Sequence, residues 1–499
     1  MSSAGGLNQE RVKELLSKAK ELSDKYVVFR GEFVNSTPWW GGNYEGKALE
    51  VIHGDKAYVT APDAKGITGK TLWFLRTVRG DGVLADFGIT GSEDKVKSKV
   101  EVVVKARTVK VDLKTGKAEG SNDQVLYLYM DNFNQRLGKL PQLCRGAKGD
   151  PLVDILCTPR VLLRVRKKWN RLVLGGGGKG EPNTAQGGKD EPLKELISLL
   201  PVRPNSVSFE VEVRAKDEGG TVKDFVQALV FTLRYLGIGS GANRGFGRFK
   251  LKGYKTGLDL GEVSLAKPFT TYSRGDTFPS YKGFKGLCKK GGLSVEGALR
   301  LLGESTLKAS WKIVNGRKPM SPGKDLHTWV LGLPRKASDE QSKSSDKQSE
   351  KPDVKSKASD EQPKVNCNGL AVSDTGYHFI KYIPEVREVS RRQSYVVLGA
   401  DVGEDKTYTF YALKFIPDKL EGVKGCLVSQ TTEKRGSQYE KSHGGGGNKK
   451  LDMVTVTDGL TLDKLVSLID TALDNVSKYI CQGAVVKNQV GGVRNYGRK

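Results

Sequence analysis

Gly237–Gly247 reads GIGSGANRGFG, and the rest of the chain can be interpreted outward from it. Before it, Val222–Leu236 carries apolar residues at positions 225, 226, 229, 230, 233 and 236, which predicts a helix with one buried face. After it, Arg248–Tyr254 predicts a short strand. Glycines let a backbone approach a ligand closely with its N–H groups pointing at it. With the charges of Arg244 and Arg248 and the flat ring of Phe246, the stretch predicts contact with a sugar-phosphate chain.

Other interpretations of this stretch stay open. Gly237 is also expected to end the preceding helix as a C-cap. The whole stretch could be a structural turn without a ligand. The letters GIGSGA fit the dinucleotide-binding fingerprint as well, but that fingerprint needs a strand before it and a helix after it, and here the predicted order is reversed.

Composition points to a polyanionic partner. The 499 residues are enough for two or three domains, and 82 Lys and Arg against 57 Asp and Glu give a net charge of +25. A ribosomal or membrane-surface protein would share this excess. The 6 cysteines form no CxxC pair and the 4 histidines are isolated, so we expect no metal site, no cofactor and no disulfide framework. Without a signal-like start or an apolar run of ~18 residues, we expect a cytoplasmic protein that contacts no membrane.

Ala64–Thr71, AKGITGKT, fits a broadened phosphate-binding P-loop pattern, in which Lys70 would reach phosphates. A P-loop needs a buried strand immediately before it, and Pro62-Asp63 interrupts the weakly apolar residues that precede the motif. The alternative is that Gly69–Arg79 begins the first helix of a ferredoxin-like unit, with Arg76 and Arg79 facing the binding groove. A P-loop NTPase is kept as a remote alternative.

Two further segments add candidate RNA-binding residues. Trp39 and Trp40 stand beside Gly41-Gly42 and could stack on a base or belong to the core. Residues 155–180 contain no acid, and Leu163 and Val165 alternate with cations, which predicts a strand with Arg164, Arg166 and Lys168 on one face. Such a segment could track an RNA backbone or be a solvated hairpin.

Several motifs together resemble one family. The residues Gly237, Gly239, Gly241, Arg244, Gly245 and Gly247 match the pattern GxGxxxxRGxG, which resembles the glycine-rich signature of the RAMP superfamily of CRISPR-associated proteins. The Trp39-Trp40 turn, the LWFLR helix, Gly332-Leu333-Pro334 and Arg391-Arg392-Gln393-Ser394 follow the order seen in the family of subunits numbered first in type III-B (Cmr) complexes. The resemblance adds Asn243 to the RNA-binding candidates, and Arg391 and Arg392 could either touch phosphate or form a structural salt bridge.

The predicted fold class is α+β, with two ferredoxin-like (RRM-like, βαββαβ) RAMP domains that share a basic, glycine-rich cleft. The expected parts are an N-terminal helix at 1–23, the first domain at 24–255, the start of the second at 256–335, a disordered linker insert at 336–366, and the remainder of the second domain with a C-terminal helix and basic tail at 367–499. The linker prediction depends on its composition, which has no aromatic residue and repeats KASDEQ.

The resemblance implies an RNA-binding subunit without a catalytic role in a crRNA-guided antiviral ribonucleoprotein. It would hold the crRNA 3′ region or target RNA beside other RAMP subunits of the Cmr complex, and its working form would not be a homo-oligomer. The alternative is a RAMP-type endoribonuclease. Metal-free RNA cleavage needs a general base and acid, and His53 is the single histidine of the first predicted domain.

Overall fold

A computed structural model describes residues 9–41, 47–88, 98–136, 149–159, 161, 164–165, 191–216, 219–258, 269–273, 275–276, 278–311, 378–382, 389–391, 394–403, 405–419, 425–429, 452–456 and 461–482. The chain forms two compact units, Met1–Tyr272 with Gly292–Arg300, and Ser273–Gly291 with Leu301–Lys499. Helices and antiparallel sheets occur in both units, so the α+β class is confirmed.

Seven strands and seven helices that lie wholly in the first unit have bounds among the described residues. Its strands are β1 (Val27–Asn35), β2 (Leu49–Val51), β3 (Lys56–Val59), β4 (Val100–Ala106), β5 (Val109–Asp112), β6 (Ser208–Ala215) and β7 (Phe249–Thr256). Its helices are α1 (Gln9–Lys25), α2 (Ala64–Arg79), α3 (Gly82–Ala85), α4 (Met130–Arg136), α5 (Pro151–Cys157), α6 (Glu191–Ser198) and α7 (Gly220–Phe231). A π-helical turn, Thr232–Leu236, continues α7.

The main sheet of this unit has the order β4-β6-β1-β7, and all its neighbours are antiparallel. Along the chain, the four strands of this sheet and the helices α2 and α7 follow the order β1, α2, β4, β6, α7, β7, and the other elements of the unit are inserted between them. Alternate strand residues such as Phe33 and Phe209 are buried and stack across β1 and β6, with ring centroids 5.8 Å apart. The two helices pack together through Phe74 and Phe231, whose rings stack at 4.7 Å. This core places β7 at an edge of the sheet.

Helix α2 resolves the P-loop question for Ala64–Thr71. Asp63 caps the helix by accepting a hydrogen bond from the N–H of Gly66, and residues 64–79 are helical throughout. Ile67 and Leu72 are buried on its apolar face. Backbone N–H groups beyond the first turn are used within the helix, so this segment forms no phosphate-binding loop and the P-loop interpretation is wrong.

Strands β4 and β5 belong to different sheets, β4 to the main sheet and β5 to a smaller sheet of order β2-β3-β5. Gln124 and Leu126 form isolated bridges before α4 begins. One strand prediction needs correction. In the predicted strand 163–168, the described residues Arg164 and Val165 are helical. Val161 and Val165 are both fully buried, which is the i, i+4 spacing of one helical face.

The second unit has two sheets in its described part, with orders β11-β12-β8 and β10-β9-β13-β14. The strands are β8 (Pro279–Lys290), β9 (His378–Tyr382), β10 (Val389–Arg391), β11 (Val396–Val402), β12 (Tyr408–Pro417), β13 (Gly425–Ser429) and β14 (Asp452–Val456). Helix α8 (Val295–Trp311) begins in the first unit, and α9 (Leu462–Cys481) packs on β8. The prediction of two ferredoxin-like domains is not confirmed, and the linker insert 336–366 lies outside the described residues.

The cysteines do not follow the sequence-based expectation. Cys288 in β8 and Cys481 in α9 form a disulfide, with Cα atoms 6.1 Å apart and 193 residues between them in sequence. Cys157 is also disulfide-bonded. Packing of α9 on β8 brings Cys288 and Cys481 together. The spacing of cysteines in the sequence gives no indication of this pair. In the part of the chain that the structure describes, no helix has the length and apolar character needed to cross a membrane.

Candidate nucleic-acid interface

The glycine loop, Gly237–Gly247, packs against the turn Ser36–Gly41, which we call the tryptophan turn. The N–H groups of Ser240 and Gly247 donate to the carbonyls of Gly41 and Pro38, both at 3.0 Å. The N–H of Arg248 donates to Thr37 Oγ1 at 2.9 Å. These bonds join the two segments side by side at the ends of β1 and β7.

Most of the loop's N–H groups have acceptors within the protein. Ile238 donates to the Gly247 carbonyl at 2.9 Å, and Arg244, Gly245 and Phe246 donate to carbonyls of Gly241 and Ala242 at 2.8, 3.3 and 3.4 Å. The expectation that the N–H groups point at a ligand is therefore wrong for these residues. They hold the loop in its own compact shape instead.

The glycines are required by this close packing. Gly237, Gly239, Gly241, Gly245 and Gly247 all have positive φ angles. A Cβ atom on Gly239 would collide with the Gly41 carbonyl oxygen, and one on Gly247 would collide with the Ile238 carbonyl oxygen. The glycines therefore let other backbone segments of the chain approach closely. This agrees with the alternative of a structural turn without a ligand, which the sequence left open.

The aromatic rings predicted to stack on bases lie in the core. Trp39 is 0% exposed, donates from Nε1 to the Thr60 carbonyl at 2.7 Å, and meets Phe249 edge-on at 5.5 Å. Trp40 is also buried, donates to the Leu199 carbonyl at 2.9 Å, and packs on Phe246 at 5.3 Å. Phe246 itself is fully buried. In this conformation the three rings support the loop and are not available to bases.

Arg244 and Arg248 lie beneath the loop surface, since they are 5% and 2% exposed. Arg244 donates from Nη1 to the Asn243 carbonyl at 2.9 Å. The predicted direct contact of these two guanidinium groups with phosphate needs correction, because folding of the loop onto the tryptophan turn covers them. The accessible part of the loop is its crest, residues 239–243, which is half-buried and includes Asn243.

Arg164 reaches the same place from a distant part of the sequence. Its guanidinium lies 5.3 Å from the Trp40 ring centroid, and Nη1 donates to Ser240 Oγ at 3.3 Å. Burial lowers the pKa of Arg164, and the group remains charged at neutral pH. The structure thus brings together the loop, the tryptophan turn and Arg164, three candidates that the sequence analysis selected separately.

Arg76 and Arg79, the cations assigned to the groove from α2, are paired with carboxylates. Arg76 Nε contacts Asp81 at 2.5 Å. Arg79 makes a two-pronged contact to Asp224 on α7, at 2.8 and 3.1 Å, and this hydrogen bonding raises the pKa of Arg79. Their charges are therefore compensated, and their RNA-binding role stays a prediction.

The exposed basic residues that follow the loop lie on the edge strand β7. Residues 237–258 contain no Asp or Glu. Lys250, Lys252 and Lys255 are exposed, and within the described residues none of them forms an ion pair. Tyr254 is 47% exposed and stacks on Phe29 at 6.1 Å. We call these three lysines, Tyr254 and the loop crest the basic edge. The candidate residues chosen from the sequence did not include the lysines, although the acid-free run could have indicated them.

Lys70, which the P-loop interpretation assigned to phosphate binding, lies on helix α2. Its Nζ lies 4.5 Å from the Trp73 ring centroid on the same helix. Burial, and then the positive charge of Arg248, lower the pKa of Lys70 to about 8.

The remaining predicted residues are placed elsewhere or lie outside the described part. Arg391 ends β10 in the second unit, and Arg166, Lys168 and Arg392 are not among the described residues. His53 is exposed between β2 and β3, on the smaller sheet and not on the sheet that carries the glycine loop. In the described ranges no group of three or more His, Cys, Asp or Glu side chains could hold a metal ion.

No protein-family model matches the sequence, and no curated protein matches it. Among solved structures, the chain is similar to Cmr1 from Pyrococcus furiosus in its apo form, with a TM-score of 0.29 and 13% identity, over 82% of this chain and 91% of that chain. It is also similar to a chain of the type III-B Cmr-beta complex bound to cognate target RNA, with a TM-score of 0.38 and 10% identity, over 90% of this chain and 100% of that chain. A structure of that complex with target RNA and AMPPnP, in the presence of ssDNA, gives a TM-score of 0.37 and 11% identity over the same shares.

Proposed function

We propose that this chain is an RNA-binding subunit, without a catalytic role of its own, in a crRNA-guided ribonucleoprotein of the type III-B (Cmr) kind. The observation that carries the proposal is the basic edge, where exposed lysines on β7 continue an acid-free segment that begins with the glycine loop. The motif order in the sequence supports the Cmr assignment and its first-numbered RAMP subunit. The crRNA 3′ region and target RNA are the proposed ligands, and other RAMP subunits are the proposed protein partners.

The basic edge has the properties of a surface that binds a nucleic-acid backbone. A strand rises about 3.3 Å per residue, so Lys250, Lys252 and Lys255 are distributed along roughly 17 Å and can reach several phosphates. Lysines at an edge strand also prevent pairing with another sheet, and that role is compatible with this one. Lysine–phosphate contacts carry no base information, so we expect affinity without strong sequence preference.

Stacking in this proposal is assigned to a different residue from those predicted. Trp39, Trp40 and Phe246 are in the core, whereas Tyr254 is exposed on the strand that carries the lysines. An exposed ring on a basic edge strand suits sequence-tolerant contact with one unpaired base. The guide's own base pairing would then supply the sequence specificity of the complex.

The test reverses the charge of the basic edge in the full chain. The triple variant Lys250→Glu, Lys252→Glu, Lys255→Glu should lower the affinity for single-stranded RNA at least about tenfold at ~0.1 M salt. Because each lost phosphate contact changes the salt slope by about 0.7, the slope of log K against log salt should fall by up to about 2. Filter binding across a salt series measures both quantities.

The matched control is Lys13→Glu, Lys117→Glu, Lys216→Glu, which makes the same change in net charge at exposed lysines of α1, the β5–α4 connection and the end of β6. We expect the control to keep most of the affinity. Equal losses in the two triple variants would show that only net charge matters, and unchanged binding in the first would remove the basic edge as the RNA site. Circular dichroism verifies that both variants are folded.

A further inference from the structure

The two edge strands of the main sheet, β4 and β7, differ in how they are protected against pairing with another strand. On β7, exposed lysines would meet like charges if a second copy of the strand were added alongside. β4 reads VEVVVKA, and its lysine, Lys105, contacts Glu210 and Glu212 of the neighbouring strand. Among the described residues no strand pairs with the outer side of β4. β4 is therefore an open edge, and its valines favour strand pairing.

The pairing of β4 with β6 shows which backbone groups of β4 face outward. Arg107, just after β4, donates its N–H to the Ser208 carbonyl of β6 at 3.4 Å. In an antiparallel pair, backbone groups point toward and away from the neighbouring strand at alternate residues. The N–H and C=O groups of Val102 and Val104 therefore point away from the sheet, where an added strand can pair with them. The side chains of both valines are half-buried.

The sequence of β4 is complementary to itself in the antiparallel direction. When two copies pair over all seven residues of the strand, Val103 lies on the two-fold axis, opposite Val103 of the second copy. Val102 then lies opposite Val104 of the second copy, and their outward backbone groups form hydrogen-bonded pairs. Glu101 lies opposite Lys105 of the second copy, and symmetry repeats this pair of opposite charges.

We propose that β4 is a dimerisation edge, through which two copies of the free protein join their main sheets into one continuous antiparallel sheet. The association stops at two copies, because the lysines of the other edge of the main sheet, β7, oppose further pairing. The basic edge lies at the far side of each sheet from β4 and stays accessible in the dimer. A working form that is not a homo-oligomer would assemble after this contact is released.

The contact should be weak and reversible. Seven residues of strand extend for roughly 23 Å, and we expect an edge-to-edge contact of this length to bury less than the ~1,200 Å² at the lower limit of stable interfaces. Just beyond the strand, Lys99 would oppose Arg107 of the second copy, but Asp86 compensates the charge of Lys99 at 2.8 Å. We expect a dissociation constant of about 10–100 μM.

The first experiment follows the oligomeric state of the full chain by sedimentation velocity, without RNA, from about 1 to 200 μM. The wild-type protein should change from monomer to dimer. Glu101→Lys places like charges opposite each other in both symmetric pairs, so it should raise the dimer dissociation constant about fivefold or more. Glu101 is 70% exposed and lies 4.0 Å from Arg214, so the fold should tolerate this change. The control Glu50→Lys makes the same charge change at an exposed residue of β2 and should change the constant less than about twofold.

The second experiment tests the register with cysteine substitutions. Val103→Cys places two cysteines on the two-fold axis with Cα atoms about 4.5 Å apart, which a disulfide can span. Glu101→Cys is the control on the same face of the strand, because its two copies would lie about 13 Å apart along the strands. Mild oxidation should therefore cross-link Val103→Cys above the background that the native cysteines give in the wild-type protein, and should not cross-link Glu101→Cys.

Two results would overturn the proposal. A chain that stays monomeric up to about 200 μM and gives no Val103→Cys cross-link does not pair through β4, and a strand of a different protein would then be the remaining occupant of this edge. A dimer that is insensitive to Glu101→Lys, or that cross-links Glu101→Cys as readily as Val103→Cys, is formed through another surface or register. Neither experiment contains RNA, so both results leave the proposed function intact.

Discussion

Two groups of cations in the main sheet of the first unit differ in whether they form ion pairs with carboxylates. On β1, β4 and β6, Arg30, Lys105 and Arg214 surround Glu212, whose side chain is 1% exposed, and Arg30 and Arg214 contact it at 2.8 and 2.9 Å. On β7, the lysines of the basic edge form no ion pair among the described residues. The net charge of +25 gives no indication of this difference. The cations around Glu212 form ion pairs that stabilise the sheet, whereas the lysines of β7 are exposed and can contact a ligand.

The largest effect on stability is expected at Glu212. Glu212→Gln leaves three cations around a neutral side chain, and removing one partner of a buried ionic cluster costs about 3–5 kcal/mol of unfolding free energy. Urea unfolding at neutral pH measures it. Glu210→Gln is the control, since that side chain is 37% exposed, and we expect a change within about 1 kcal/mol. RNA affinity of the folded Glu212→Gln protein should match wild type, and a large loss of affinity would contradict the division between the two groups.

The same substitution gives a pH dependence of definite sign. Burial opposes ionisation of Glu212, but hydrogen bonds from Lys105 and Arg214 outweigh it and lower its pKa. A carboxyl with a lower pKa in the folded state contributes stability that is present above its unfolded value of about 4.3 and is lost as pH falls through the folded value. The stability difference between wild type and Glu212→Gln should therefore shrink below about pH 4. A constant difference over that range would show that charge is not its cause.

The next effect concerns the support of the basic edge. Gly239→Ala adds a Cβ that collides with the Gly41 carbonyl oxygen at a φ of 84°, and we expect a loss of about 2–4 kcal/mol from strain and crowding. The displaced loop should also lower RNA affinity. Gly253→Ala on β7 is the control, because its Cβ would meet no atom within 4 Å. Equal stability of the two variants by thermal unfolding would mean that the loop does not depend on its contact with the tryptophan turn.

The sequence predicted the helices and strands that carry these cations better than it predicted which cations are paired or buried. Periodicity is a local property, so α2, α7, β1, β6 and β7 could be predicted from apolar spacing. Compensation of charge is not local: Arg79 meets Asp224 across 145 residues, and Arg30 meets Glu212 across 182. Burial of Trp39 depends in the same way on Thr60 and Phe249. Sequence reasoning therefore located the loop but could not say which cations beside it are covered, paired or exposed.

The smallest effect has the opposite sign and concerns Lys70. Its pKa of about 8 is below the usual value of 10.5, so the unfolded chain binds more protons between these values and the charged lysine weakens the folded state at lower pH. Lys70→Met should therefore raise the unfolding free energy by about 1–2 kcal/mol near pH 7, allowing for its partial exposure, and the gain should vanish above about pH 10.5.

Thermal unfolding at several pH values measures this gain, with Lys65→Met, which removes an exposed lysine of the same helix, as the control that should show none. A gain that disappears above about pH 10.5 would show that the charge of Lys70, and not its packing, opposes folding. If Lys70→Met destabilises the protein near pH 7, the contact of Lys70 with Trp73 contributes more than its charge costs, and Lys70 belongs with the structural cations around Glu212.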